Sequence, residues 1–239
     1  MFFPEKIKNI KANSKVLEVG PGGTPHPRSD MFLDLDPILF ENEVIAGFQR
    51  GNAPILKTDK PIVYYDGRKM PFKKDEFDYV ICSHVLEHVE DPASFISELY
   101  RIGKSGYIEF PTIFYDYLYD IPVHINFLNL EGNTIKYIRK DKTPLSYFKS
   151  VQEFFLASLS MGYSDIVDDL KPYMFQGFEW TKNSKIKIVE VSAIDELIPS
   201  LKLAPKVREQ NSNSRLYKKV YIRMRKKIKG VINKSESKL

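Results

Sequence analysis

Cysteine is almost missing from this chain of 239 residues, with Cys82 its single instance. A disulfide framework is therefore excluded, and a reducing compartment is the expectation. No run of about 18 apolar residues occurs, which excludes an apolar membrane-spanning helix. The N-terminal MFFPEKIKNIKANSK has no apolar core of signal-peptide length, so the sequence predicts a cytoplasmic protein. Internal repeats are absent, and so is low-complexity sequence before Ser200. What is present is a 43% hydrophobic composition, sufficient for one sizeable core with decorations.

Charge is unevenly distributed. Residues 201–239 contain 13 Lys or Arg and two Glu, which leaves 23 basic and 29 acidic residues in the first 200. A mildly acidic body thus precedes a strongly basic tail. Within SRLYKKVYIRMRKKIKGVI, Tyr217, Val220, Tyr221, Met224, Ile228 and Val231 recur at helical spacing among lysines and arginines. That pattern suits peripheral contact of residues 211–232 with the anionic inner face of a membrane, the rival reading being a solvated end. Nucleic acid is not the expected partner, because no RNA-recognition motif accompanies the charge.

The first hundred residues alternate short apolar strands with helical patterns, the signature of a parallel sheet built from βαβ units. Strands are predicted at Lys15–Val19, Met31–Leu35, Ile62–Tyr65, Tyr79–Ser83 and Gly106–Phe110. A helix opened by Asp91-Pro92 and ended by Gly103 buries Phe95, Ile96, Leu99 and Ile102. Beyond Pro111 the sequence becomes dense in aromatics. A hairpin is predicted around Glu131-Gly132-Asn133, a helix over Ser150–Gly162, and a second hairpin with its turn at Lys182-Asn183-Ser184. The expected boundaries are a domain over 1–200 and the tail over 201–239. The domain divides into a first half at 14–111, an aromatic insertion at 112–177 and a terminal hairpin at 178–192.

The chemistry is concentrated in VLEVGPGGTPHPRSDMFLDLDP, residues 16–37. A strand ending in Gly-x-Gly lets a ligand approach the main chain, and a second strand ending in Asp34 offers a carboxylate to ribose hydroxyls. Thr24, Pro25 and Pro27 occupy the place of the third glycine and helix start of a dinucleotide fingerprint, so a nucleoside without phosphates is expected. Asp36 is either a turn residue before Pro37 or a second ligand contact.

VLEVGPGG, FLDLDP, DGRKMPF, FDYVICSHVLEHV and SGYIEFP, in this order from Ser14 to Pro111, resemble the class I S-adenosylmethionine-dependent methyltransferases. The resemblance is to the small group with the pattern acid-Gly-x-x-x-Pro-Phe, Phe-Asp-x-Val and Glu-His-Val. It implies an α/β fold with a doubly wound, mostly parallel, seven-stranded Rossmann-like sheet and an aromatic-rich substrate-side insertion. It also implies S-adenosylmethionine as cofactor and S-adenosylhomocysteine as product. Glu18 would shape the glycine loop, Gly20 and Gly22 would border the methionine part, and Asp34 would hold the ribose. Asp66, with Gly67, would meet the adenine, and Ser83 and His84 would face the reactive end. The link from Gly22 to the second strand, about ten residues, is too short for the helix usual there.

The acceptor would be a small molecule or a sugar or lipid-linked glycan intermediate, methylated at oxygen. A hydroxyl acceptor benefits from a base of near-neutral pKa, for which His84 and His124 are the candidates. His84, Glu87 and His88 also have the spacing of a divalent-metal set, although the sequence reading assigns no metal. Phe114, Tyr115, Tyr117, Tyr119, Phe127, Tyr137 and Trp180 could stack on the acceptor or could be core. A methyltransferase-like scaffold without turnover is the alternative to the enzyme.

Overall fold

The computed structural model describes residues 1–39, 56–160 and 170–198, with side chains at 159 and 160 excepted. These belong to one compact unit, Met1–Ile198. The predicted basic tail lies outside the described residues.

Five of the predicted strands form where expected, as β1 (Val16–Val19), β2 (Met31–Leu35), β3 (Ile62–Tyr65), β4 (Tyr79–Ser83) and β5 (Ser105–Pro111). They pair in parallel in the order β3-β2-β1-β4-β5. All four residues of β1 are buried, as expected of a central parallel strand covered on both faces. Leu17 and Val19 point into the main core, where helix α1 (Pro92–Ile102) contributes Phe95, Ile96, Leu99 and Ile102. Asp91 caps that helix by accepting the Ser94 N–H, with Pro92 at its first position. Val16 points to the opposite face and packs with Tyr79, Ile81 and Tyr107 against Ile7 and Ile10 of the N-terminal segment.

The central sheet has six strands among the described residues, not seven. Its sixth member, β8 (Phe175–Thr181), pairs antiparallel with β5 from Pro111↔Phe175 to Ser105↔Thr181. The second predicted hairpin does not form. After the turn at Thr181 and Ser184 the chain leaves the sheet, and β9 (Lys187–Glu190) pairs in parallel with β7 (Thr134–Arg139) instead. The local turn signal is real, but its flanking strands find better partners in two different sheets. The aromatic segment after β5 begins as a helix, α2 (Ile113–Tyr119), which the sequence reading left unassigned.

The first hairpin does form. β6 (Asn126–Glu131) and β7 (Thr134–Arg139) turn at Gly132, whose φ of +58° favours glycine. With β9 they make a three-stranded sheet, and its Leu128, Ile135 and Tyr137 join the core that holds α1. Helix α3 (Lys149–Ser160) packs on α2 through Phe155 and Tyr119, and Gln152 donates to the Tyr117 carbonyl at 2.7 Å.

Candidate functional site

The strand order reverses between β1 and β4, and ligands bind in such folds at the carboxyl ends beside that switch. A cavity of about 1200 Å³ opens there, and its rim collects residues from the ends of four strands. Glu18, Gly20 and Gly22 come from β1 and its loop, Asp34 from β2, Asp66 and Gly67 from the end of β3, and Ser83 and His84 from β4. Every sequence-predicted cofactor residue therefore lines one space.

The loop after β1 contains no helix, as its length requires. Glu18 holds it instead, accepting the His26 N–H at 2.8 Å and the Ser29 hydroxyl at 2.6 Å. Burial pushes the Glu18 carboxyl upward, against the pull of those two bonds. The two glycines do different work. A Cβ on Gly20 would sit 2.5 Å from the Val85 Cγ2, so packing against the β4 loop excludes any larger residue. A Cβ on Gly22 would meet nothing within 4 Å, leaving its bare face open to the cavity. Asp34 Oδ1 accepts the Leu35 N–H, and Asp66 Oδ1 accepts the Arg68 N–H in a turn. Asp36 Oδ1 accepts from Ile38 N, which makes it a turn residue.

At the other end of the cavity His84 adopts φ +59°, a left-handed conformation that aims its ring at two buried carboxylates. Its Nε2 lies 3.0 Å from Glu109 Oε1, and its Nδ1 lies 3.2 Å from Glu87 Oε1. Burial pulls this imidazole down, but the two carboxylates outweigh it and raise its pKa to about 9. Both ring nitrogens are thus occupied and protonated near neutrality.

His124 is arranged differently. Its Nδ1 meets Asp116 Oδ1 at 2.5 Å, on the fully buried face of α2. That contact places the proton on Nδ1 and leaves Nε2 as the free lone pair, 4.0 Å from Glu87 Oε1. His88 turns its Nδ1 to the Val123 carbonyl at 3.0 Å, and burial pushes its pKa down to about 4. His84, Glu87 and His88 are consequently not the set with converging ligand atoms. Glu87, His88 and His124 are, with those atoms within 4.8 Å of one another. Both Glu87 oxygens are buried, and Oε1 has the His84 Nδ1 contact at 3.2 Å while no hydrogen bond reaches Oε2 among the described residues. The donor set, two imidazoles and a carboxylate, suits a divalent transition metal.

Of the aromatics that could either stack on an acceptor or be core, Tyr115 lines the cavity, whereas Phe127 and Trp180 are fully buried core. Phe2 and Phe175 line it and were missed. So were Asp116 and Glu109, although an acid inside the apolar run of β5 was a readable signal.

A family model described as a methyltransferase domain matches residues 45–108. A demethylmenaquinone methyltransferase of Streptomyces avermitilis is 46% identical over 46 residues, 19% of this chain and 20% of that one. A ubiquinone biosynthesis O-methyltransferase of Pseudomonas putida is 30% identical over 108 residues, 40% of this chain and 42% of that one. The chain thus spans between about a fifth and two fifths of the length of these curated relatives. A crystal structure from Bacillus halodurans C-125, itself assigned to the methyltransferases, is 26% identical, covering 48% of this chain and 55% of that chain at a TM-score of 0.33. Residues 45–108 are thus similar to a methyltransferase domain, in a chain whose strand order gathers the motif residues around one cavity.

Proposed function

We propose that this protein transfers a methyl group from S-adenosylmethionine to the oxygen of a small, largely apolar acceptor, with His124 as the base. The Asp116–His124 contact at the acceptor end of the cavity is the observation that carries this reading. Bound cofactor would supply a methyl group on a sulfonium, open to in-line displacement. The protein's task is then to position the acceptor and accept its proton. His124 Nε2 takes that proton, and the Asp116 carboxylate stabilises the imidazolium formed. Two further features favour oxygen as the target and a small molecule over a glycan. The chamber beside His124 is walled by Phe2, Tyr115, Ile121 and Phe175, and the matched Pseudomonas relative is named as an O-methyltransferase. His84 is reassigned from base to structural cation.

Gly22, Asp34, Asp66 and Gly67 would hold the cofactor, and the open face of Gly22 fits a ligand pressed against the main chain. Asp34→Ala and Asp66→Ala should each weaken binding of S-adenosylhomocysteine by about 1–3 kcal/mol. Calorimetry measures this directly, and wild-type affinity in both variants would reject the assignment. Folded protein that binds neither S-adenosylmethionine nor its product would reject the function. Binding without any methylated product across a broad hydroxyl panel would favour the scaffold reading.

A second reading is a divalent cation at Glu87, His88 and His124, favoured by the convergence of their ligand atoms and the unbonded Glu87 Oε2. Loss of activity after chelation, restored by added metal, would select it. Undiminished activity after dialysis against chelator would leave His124 as the base.

We also propose that residues 211–232 tether the protein to anionic membrane, on the charge and apolar spacing of that segment. Full-length protein should sediment with anionic vesicles and be released by salt, whereas a 1–210 truncation should stay in the supernatant. Equal sedimentation of the two forms would remove the idea.

A further inference from the structure

The buried carboxylate of Glu109 has more partners than its link to His84 requires. Oε1 accepts from the Phe2 N–H at 2.6 Å, the Ser83 hydroxyl at 3.0 Å and His84 Nε2 at 3.0 Å. Oε2 accepts from the Phe3 N–H at 3.0 Å and the Tyr107 hydroxyl at 2.6 Å. Two consecutive backbone amides of the N-terminal segment thus grip one side chain inside the sheet. The Phe2 ring lies flat on Phe175, with centroids 3.9 Å apart and planes 15° apart, and its edge meets His84 at 5.2 Å. Met1 and Phe2 line the cavity together with Tyr115, Ile121 and His124. Further along, Lys8 N and Asn9 N donate to Glu179 Oε1 on β8 at 3.1 and 3.0 Å, so the segment is fixed at a second place.

We propose that Phe2, held by Glu109, is a specificity-determining wall of the acceptor chamber that sets the largest acceptor able to reach His124. The inference rests on the proposed function only for what the chamber binds. The wall itself follows from the contacts of Phe2. A ring stacked on Phe175, with its backbone held by two hydrogen bonds to Glu109, does not swing aside without losing that stacking. Replacing the ring by a methyl group opens space toward the N-terminal side while leaving Gly22, Asp34 and Asp66 untouched at the other end. The Phe2 ring contacts are with Phe175 and His84, away from Gly22, Asp34 and Asp66, so the cofactor end should not register the change.

Phenol and 4-phenylphenol serve as probes, because each joins a hydroxyl to a flat apolar body and they differ in length. Both are titrated by calorimetry into wild-type protein and Phe2→Ala in excess S-adenosylhomocysteine. Wild type should prefer phenol, and the ratio of the two dissociation constants should shift at least tenfold toward 4-phenylphenol in Phe2→Ala. Phe2→Leu, which retains bulk, should keep the wild-type ratio. The same ratio in wild type and Phe2→Ala overturns the proposal, as does failure of both probes to bind either form. Titration of S-adenosylhomocysteine alone into both forms reports separately on the methyltransferase reading. Its failure, beside a shifted phenol ratio, would reject the cofactor and keep the wall.

Discussion

His124→Gln should lower the rate of methyl transfer by about 10²- to 10⁴-fold, the range of a positioned general base, while S-adenosylhomocysteine binds as before. The glutamine keeps a polar side chain of similar reach but cannot accept a proton at neutral pH. Asp116→Asn should cause a smaller loss, because it frees the ring to adopt the tautomer with its proton on Nε2, the wrong nitrogen for accepting one. Stopped turnover assays with a responsive hydroxyl acceptor would read both effects. A His124→Gln enzyme with wild-type turnover would end the role of His124.

Glu109→Ala should destabilise the fold by about 3–5 kcal/mol, the cost of removing one partner from a buried ion pair. The side chain is fully buried and accepts five hydrogen bonds, so its loss strands the His84 cation, two amides and two hydroxyls at once. Urea denaturation should show a lower midpoint with an unchanged slope. A change below about 1 kcal/mol would mean that water replaces the carboxylate without strain.

The same network sets a pH window. Glu109 and Glu87 would be raised by burial alone, but His84 and their other partners hold both at about 2, below the ordinary 4.5. Their contribution is therefore present above pH 4.5 and lost as pH falls toward about 2. His84 is raised from 6.5 to about 9, so its contribution is complete below 6.5 and lost as pH rises toward about 9. Thermal midpoints should plateau between these limits. His84→Gln should abolish the alkaline decline, and a decline that persists would assign it to other groups.

The first half of the fold was written locally. Short apolar runs bounded by glycine and proline, and a helix with its own cap at Asp91, depend on residues within a few positions of one another. They formed where sequence alone placed them, from β1 to β5. The rim of the cavity was legible for the same reason, since Glu18, Gly20, Gly22, Asp34 and Asp66 each sit at the end of a strand that announces itself. The turn at Lys182-Asn183-Ser184 was equally legible, yet which strands it joined was not. β8 pairs with β5 across some 70 positions and β9 with β7 across about 50, and such pairings are decided by competition between edges rather than by nearby residues.

The acceptor end depended still more on tertiary structure. His84 and His124 read alike in sequence, as polar rings beside apolar stretches. Their roles diverged because β5 brings Glu109 to one and α2 brings Asp116 to the other. Likewise Phe2 carried no signal, since nothing near it in sequence shows that Glu109 awaits its amide 107 positions later. The sequence by itself determined the parallel strands and their order along the chain, and thereby which strand-end residues meet at the cavity, because propensity, capping and turn chemistry act at short range. Only the tertiary structure decided which buried carboxylate each histidine meets and that Phe2 stacks on Phe175 beside the cavity. Those outcomes depend on burial, charge pairing and edge pairing among residues far apart in the chain.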